Sequence, residues 1–176
     1  MISTVTAYVG LGSNLDNPAA QIAAAIDMLA ALPDATLRAV SSFYRNPPMG
    51  PQDQPDYVNA VVALDTCLTP RALLDAMQAI ERAQGRDRSG LRWGARTIDL
   101  DLLVYGDTVL DEDHLQVPHP GIAERAFVLV PLAEIAPQIS IPGHGLLSTL
   151  LAAVDHVSVV PMPIPSRPMP RISSTR

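Results

Sequence analysis

Residues 97–105 read Thr97-Ile98-Asp99-Leu100-Asp101-Leu102-Leu103-Val104-Tyr105, and two acids alternating with apolar residues fit a half-buried strand. Successive strand side chains point to opposite faces. Ile98, Leu100, Leu102 and Val104 then share a face suited to a core, and Asp99 and Asp101 share the other. Their α-carbons lie roughly 6.5–7 Å apart, so both carboxylates can reach one small region. Two like charges so placed repel, and aspartate is disfavoured in strands. A hard divalent cation offsets both costs, because magnesium takes oxygen ligands, often one or two carboxylates together with substrate phosphates. The rival reading is a solvent-exposed strand face on which the acids only solubilise.

The residues just upstream favour the metal. Gly85-Arg86-Asp87-Arg88-Ser89-Gly90-Leu91-Arg92-Trp93-Gly94-Ala95-Arg96 holds three glycines and four arginines. Guanidinium groups bind phosphate oxygens bidentately and stay charged at any relevant pH. The glycines permit a loop that closes over a ligand. Trp93, the only tryptophan, sits among charges and could stack on a ring or cover a closed site. Carboxylates for a metal beside arginines for phosphate suit phosphoryl-type transfer.

Composition narrows the classes. The net charge is −6, which argues against a general nucleic-acid binder. All twelve basic residues are arginine, which excludes a P-loop lysine and a Schiff-base lysine. No apolar run approaches the roughly 20 residues of a membrane helix. The start, Met1-Ile2-Ser3-Thr4-Val5, lacks a basic region followed by an apolar stretch, so no signal peptide is expected. Cys67 is the single cysteine and forms no internal disulfide, which fits a cytoplasmic setting.

The periodicities order the elements. Residues 5–11 read as a strand, and Asn17-Pro18 as the cap of a helix over 19–32. Residues 36–44 read as a second strand, followed by a proline- and glycine-rich loop to Pro55. Residues 57–64 read as a third strand. Thr69-Pro70 starts a second helix with Leu73, Leu74, Met77 and Ile80 inward, and 98–105 is the fourth strand. The order β-α-β-β-α-β predicts an α+β, ferredoxin-like fold, an antiparallel sheet flanked by helices. Additional C-terminal helices are expected over 125–135 and 146–154. Residues 1–160 read as a single domain and 161–176, with five prolines, as a disordered tail.

Four blocks, in order, resemble the 6-hydroxymethyl-7,8-dihydropterin pyrophosphokinase family. They are Tyr8-Val9-Gly10-Leu11-Gly12-Ser13-Asn14; Ser42-Phe43-Tyr44-Arg45 through Pro48-Met49-Gly50 to Tyr57-Val58-Asn59-Ala60; Arg92 through Asp101; and Val117-Pro118-His119-Pro120 with Glu124-Arg125-Ala126-Phe127. The resemblance spans residues 5–155. It implies transfer of the β,γ-pyrophosphoryl group of ATP to the pterin hydroxymethyl oxygen, with release of AMP, in folate biosynthesis. It implies that Asp99 and Asp101 hold two magnesium ions. Arg86 and Arg96 would act on the phosphates, alongside the two aspartates, as catalytic residues. Gln78, Glu81, Arg88, Trp93, Leu102, His119 and Arg125 would contact ATP. The pterin would stack between Tyr57 and Phe127, with Asn59, Trp93 and the segment Asn46, Pro47 and Met49 completing its site. Tyr57 and Asn59 are two apart on a strand and so share a face. The resemblance further implies a monomer acting on small molecules, without nucleic acid or membrane.

This sequence departs from the family pattern at three places. Asn46 stands where threonine is common, His114 where some members have arginine, and Gln116 where some have threonine. Two rival functions share the scaffold. A non-catalytic nucleotide or pterin sensor would need fewer of the metal carboxylates and loop arginines. An RNA-binding module would carry positive charge and an exposed aromatic strand motif.

Overall fold

Alternating apolar residues form the sheet on which the rest is built. The computed structural model describes residues 3–85 and 97–163. The elements are β1 (Val5–Ser13), α1 (Pro18–Ala30), β2 (Ala35–Val40), β3 (Tyr44–Asn46), β4 (Tyr57–Thr66), α2 (Pro70–Ala83) and β5 (Asp99–Tyr105). Then come β6 (Leu110–Glu112), β7 (Leu115–Val117), a 3-10 turn (Ile122–Glu124), α3 (Ala126–Ile135), β8 (Ser140–Ile141), β9 (Gly145–Leu146), α4 (Leu147–Ala152) and β10 (Val160–Pro161).

The main sheet is antiparallel, in the order β10-β3-β4-β1-β5, with β2 also paired to β4. Taking β2 and β3 as one interrupted strand gives the ferredoxin-like order. The second strand expected over 36–44 is therefore two strands. Ser41 makes the break: its N–H donates to Val61 O at 2.9 Å, and its Oγ accepts from Val61 N at 2.9 Å. A side chain has replaced a backbone partner in the ladder, and the edge bends there.

Helices cover both faces. On one, α1 and α2 bury Ile22, Leu29, Leu73 and Met77 against Val9, Leu11, Val62, Leu64, Leu100 and Leu102. Thr69 caps α2 as expected, its Oγ1 accepting from Ala72 N at 3.2 Å. Asn17 precedes α1 with φ 61°, and its side chain makes no capping bond, contrary to expectation. On the other face, α3 and α4 bury Leu129, Leu132 and Leu147 against Val61, Leu103 and Val104.

Val104 is thus a correction. It does not share a face with Leu100 and Leu102, because Leu103 is an extra residue in the pairing with β1. Val9 lies opposite Leu102 and Tyr8 opposite Val104. One extra residue in a ladder reverses the alternation beyond it. Leu103 and Val104 both face α3, and Tyr105 turns back to the first core.

The first residues of the expected tail, Pro161 and Met162, meet β3. Pro161 pairs with Tyr44, and Met162 N donates to Phe43 O at 2.7 Å. The remainder, residues 164–176, lies outside the described residues.

Candidate active site

The α3–α4 layer covers only part of its side of the sheet. At one end the strand positions on this face are apolar and packed: Tyr8, Val61, Leu103 and Val104. At the other end the same face carries Gly10 and Gly12 on β1, Tyr57 and Asn59 on β4, and Asp99 and Asp101 on β5. There a cleft opens between the sheet and the start of α3. The register explains why it is open. Gly10 lies opposite Asp101 and Gly12 opposite Asp99, so no side chain from the central strand stands beside either carboxylate. These glycines went unassigned in the sequence reading. Their spacing of two, which puts both on the aspartate face, is the signal that could have found them.

Asp99 and Asp101 both line this cleft, as their shared strand face requires. Asp101 Oδ2 lies 3.6 Å from Arg125 Nη1 and 3.9 Å from His119 Nε2. Arg125 in turn lies 5.9 Å over the Phe127 ring, within cation–π range. Two carboxylates with hard oxygen donors, facing open space and backed by a cation, fit magnesium with its remaining positions taken by phosphate and water. Among the described residues no group of three or more His, Cys, Asp or Glu side chains could hold a metal by itself.

His119 is placed by the bulge. Its N–H donates to Leu103 O at 2.9 Å. Its Nδ1 accepts from Gly121 N at 3.0 Å, so the ring proton sits on Nε2, toward Asp101. Burial, with the Arg125 charge added, lowers its pKa to about 4 against the opposing pull of Asp99. The ring is therefore neutral at pH 7 and is not the cationic half of a salt bridge; at 3.9 Å its Nε2 is beyond hydrogen-bond distance of Asp101.

The residues assigned to the pterin converge. Asn46, Met49, Tyr57, Asn59 and Phe127 line the cleft together with Arg125. Pro47 is exposed, and its carbonyl accepts from Asn46 Nδ2 at 3.0 Å. A second cleft lies between β5, α2 and the β6–β7 hairpin, lined by Leu74, Leu102, His114, Gln116 and His119 among others. Asp101 lines both clefts. Of the residues assigned to ATP, Leu102 and His119 line the second cleft and Arg125 the first. Gln78 and Glu81 line neither. Glu81 is 2% exposed, and its Oε1 accepts from Leu100 N at 3.0 Å, so it ties α2 to β5. Arg86, Arg88, Trp93 and Arg96 lie outside the described residues.

Two buried polar residues at the end of β1 brace the rim. Ser13 Oγ donates to Thr97 O, just before β5. Asn14 Nδ2 donates to Gln54 Oε1 and to Pro55 O, both at 3.0 Å, and so fastens the proline-rich loop.

Known proteins resemble this chain in sequence and in fold. Residues 8–137 match the family described as 7,8-dihydro-6-hydroxymethylpterin-pyrophosphokinase (HPPK). A 2-amino-4-hydroxy-6-hydroxymethyldihydropteridine pyrophosphokinase of Pseudomonas aeruginosa is 52% identical over 156 residues, covering 89% of this chain and 96% of that protein. The Haemophilus influenzae protein of the same name is 47% identical, covering 86% and 95%. The Bacillus subtilis one is 41% identical, covering 76% and 79%. The wild-type Plasmodium falciparum HPPK-DHPS crystal structure with SDX-DHP superposes with a TM-score of 0.66 at 14% identity, which shows the fold alone. The match covers 86% of this chain and 44% of that longer one. With a family match over most of its length and relatives identical at about half their positions, the chain belongs to the 7,8-dihydro-6-hydroxymethylpterin-pyrophosphokinase family.

Proposed function

We propose that this chain transfers the β,γ-pyrophosphoryl group of ATP to the hydroxymethyl oxygen of 6-hydroxymethyl-7,8-dihydropterin, giving the pterin diphosphate and AMP in folate biosynthesis. The observation that carries this reading is that two clefts meet at Asp101, one lined by the aromatic and amide residues suited to a pterin, the other by Leu102 and His119. Transfer needs two substrates whose reacting ends meet, and a carboxylate that lines both clefts supports that reading.

In this reading the pterin ring lies between Tyr57 and Phe127, and Asn59 meets its polar edge. The bond from the hydroxymethyl oxygen to the β-phosphorus forms, and the bond from that phosphorus to the α,β-bridging oxygen breaks. AMP leaves with the bridging oxygen, and the hydroxyl proton passes to a base or to solvent. Asp99 and Asp101 hold two magnesium ions, which neutralise charge on the phosphates when bound. Arg125 and the neutral His119 add donors beside Asp101, while Arg86 and Arg96 add charge from the arginine-rich segment. Arg88 and Trp93 close over the nucleotide, with Gln78 near it. Positioning and electrostatics supply most of the rate enhancement. The protein works as a cytoplasmic monomer on small molecules, as one domain over 1–160 with a proline-rich tail. The net charge of −6 supports the absence of a nucleic-acid partner. Among the described residues no helix is long and apolar enough to cross a membrane.

Nucleotide chromatography after incubation with ATP, magnesium and the pterin tests this reading. Pterin-dependent AMP is the expected product. ADP would make the chain an ordinary kinase, and binding of both ligands without turnover would make it a sensor.

A further inference from the structure

Asn46 and Asn59 form a short polar chain with a fixed direction. Both are nearly buried, at 5% and 6% exposure. Asn46 Nδ2 donates to Pro47 O at 3.0 Å, and Asn59 Nδ2 donates to Asn46 Oδ1 at 2.5 Å. A backbone carbonyl can only accept, so Asn46 must turn its NH2 group toward Pro47. Its Oδ1 then faces Asn59, and an amide oxygen also can only accept. Asn59 must therefore turn its own NH2 group toward Asn46. One carbonyl at the start of the proline-rich loop thus sets the orientation of two amides.

The far end of this chain faces the cleft. Among the described residues no group donates to Asn59 Oδ1, which lies over Gly12, where a Cβ would come within 2.8 Å of it. With Nδ2 committed to Asn46 through one hydrogen, Asn59 retains one acceptor and one donor hydrogen. A ring edge with an N–H beside a C=O is complementary to that pair. An edge with an unprotonated ring nitrogen beside an exocyclic NH2 is complementary only to the flipped amide, which Asn46 forbids.

We propose that Asn46 is a positioning residue that locks the Asn59 amide in one orientation and thereby makes the site select a 4-oxo over a 4-amino pteridine. The inference rests on the pterin reading above and concerns the residue in which this chain departs from the threonine common in the family. An Asn59 that can flip would accept either edge. One that cannot flip leaves buried polar groups mismatched against the 4-amino edge, and such mismatches discriminate strongly.

The test is calorimetric titration with two ligands that differ only at C4: 6-hydroxymethylpterin and 2,4-diamino-6-hydroxymethylpteridine. Magnesium and α,β-methylene-ATP are present throughout. The full chain should prefer the 4-oxo ligand, and Asn46→Ala should shrink the ratio of the two dissociation constants by about tenfold or more, with ATP-analogue affinity unchanged. Asn46→Thr should keep most of the preference, because a hydroxyl can still accept from Asn59. Asn46→Leu, branched at Cγ like asparagine and without a polar atom, carries the same expectation as Asn46→Ala should that variant fail to fold. A ratio within twofold of the wild-type value in the apolar variants overturns the inference, even if both ligands bind more weakly. If the wild-type chain binds neither pteridine, the pterin reading itself falls, and the inference falls with it.

Discussion

Gly12 and Asn59 lie opposite each other across β1 and β4, and a Cβ on Gly12 would sit 2.8 Å from Asn59 Oδ1. A side-chain oxygen can usually give way to a methyl group. Here the amide is held from the other side by Asn46, so the added methyl must displace the whole pair. Gly12→Ala should raise the KM for the pterin by about tenfold or more and leave the KM for ATP nearly unchanged. Steady-state kinetics with each substrate varied in turn would read the split. Equal KM values in variant and wild type would mean the amide is not held.

The two strand aspartates line one cleft, and a metal-binding role for each can be tested separately. Asp99→Asn and Asp101→Asn should each reduce kcat by about a hundredfold to a thousandfold. Thermal melts separate chemistry from folding. Magnesium with α,β-methylene-ATP should raise the wild-type Tm and have little effect on the variants. A variant still stabilised by the pair of ligands would count against a metal role for that residue.

Gly121 sits against the arginine that touches Asp101. A Cβ there would come within 2.8 Å of Arg125 Nε and 3.2 Å of its Cζ. Gly121→Ala should therefore swing the guanidinium away from Asp101 and reduce kcat/KM for ATP by about tenfold. Its φ of −95° suits alanine, so the melting temperature should change little. Unchanged kinetics would show that Arg125 is not needed where it lies.

Glu134 on α3 accepts from Ser42 N at 2.9 Å, Ser42 Oγ at 2.8 Å and Tyr44 OH at 2.6 Å. Burial alone would raise its pKa, but the bonds from Tyr44 and Ser42 outweigh it and hold the carboxyl below its ordinary 4.5. A depressed carboxylate pKa contributes stability above the unfolded value, and this is lost as pH falls through the folded one. The loss therefore begins near pH 4.5 and deepens below it. Tyr44 shows the converse. Burial and its bond to Glu134 push its pKa up to about 12, so its contribution is lost only as pH rises above 10 toward that value. Glu134→Ala should cost about 0.5–1 kcal/mol at pH 7, because the carboxylate is exposed and solvent screens it, and should flatten the acid limb. Urea melts between pH 3 and pH 7 would show it, and a wild-type slope in the variant would refute the assignment.

Much of the site could be read from residue types at fixed spacing. Asp99 and Asp101 were placed on one face by strand alternation, and Tyr57 with Asn59 by the same rule. The Thr69-Pro70 start of α2 rests on a local rule and held. What could not be read depended on partners distant in the chain. Nothing in the apolar run Leu102 to Tyr105 marks where the alternation slips, because every residue there suits a core. Glu81 looks like a solvent-facing helix residue until β5 is laid over it and Leu100 N needs an acceptor. Ser41 looks like an ordinary strand residue until it takes the place of a ladder partner opposite Val61. The Asn46–Asn59 pair spans thirteen residues and two strands, and no spacing rule predicts it.

The extra residue at Leu103 acts as a phase shifter. Upstream of it, β5 presents acids to a wet cleft; downstream, on the same side of the sheet, it presents leucine and valine to a dry interior. A strand in strict alternation could also carry both environments on one face, but it would present one side chain to α3 where the extra residue presents two. Here the slip leaves Leu103 O free to accept His119 N–H at 2.9 Å. The boundary between wet and dry is thus also the point where a loop from elsewhere in the chain is moored. Deleting Leu103 would leave Val104 on the α3 side but remove one of the two apolar side chains presented there and the carbonyl that holds His119 beside Asp101, so one backbone irregularity secures packing and chemistry together.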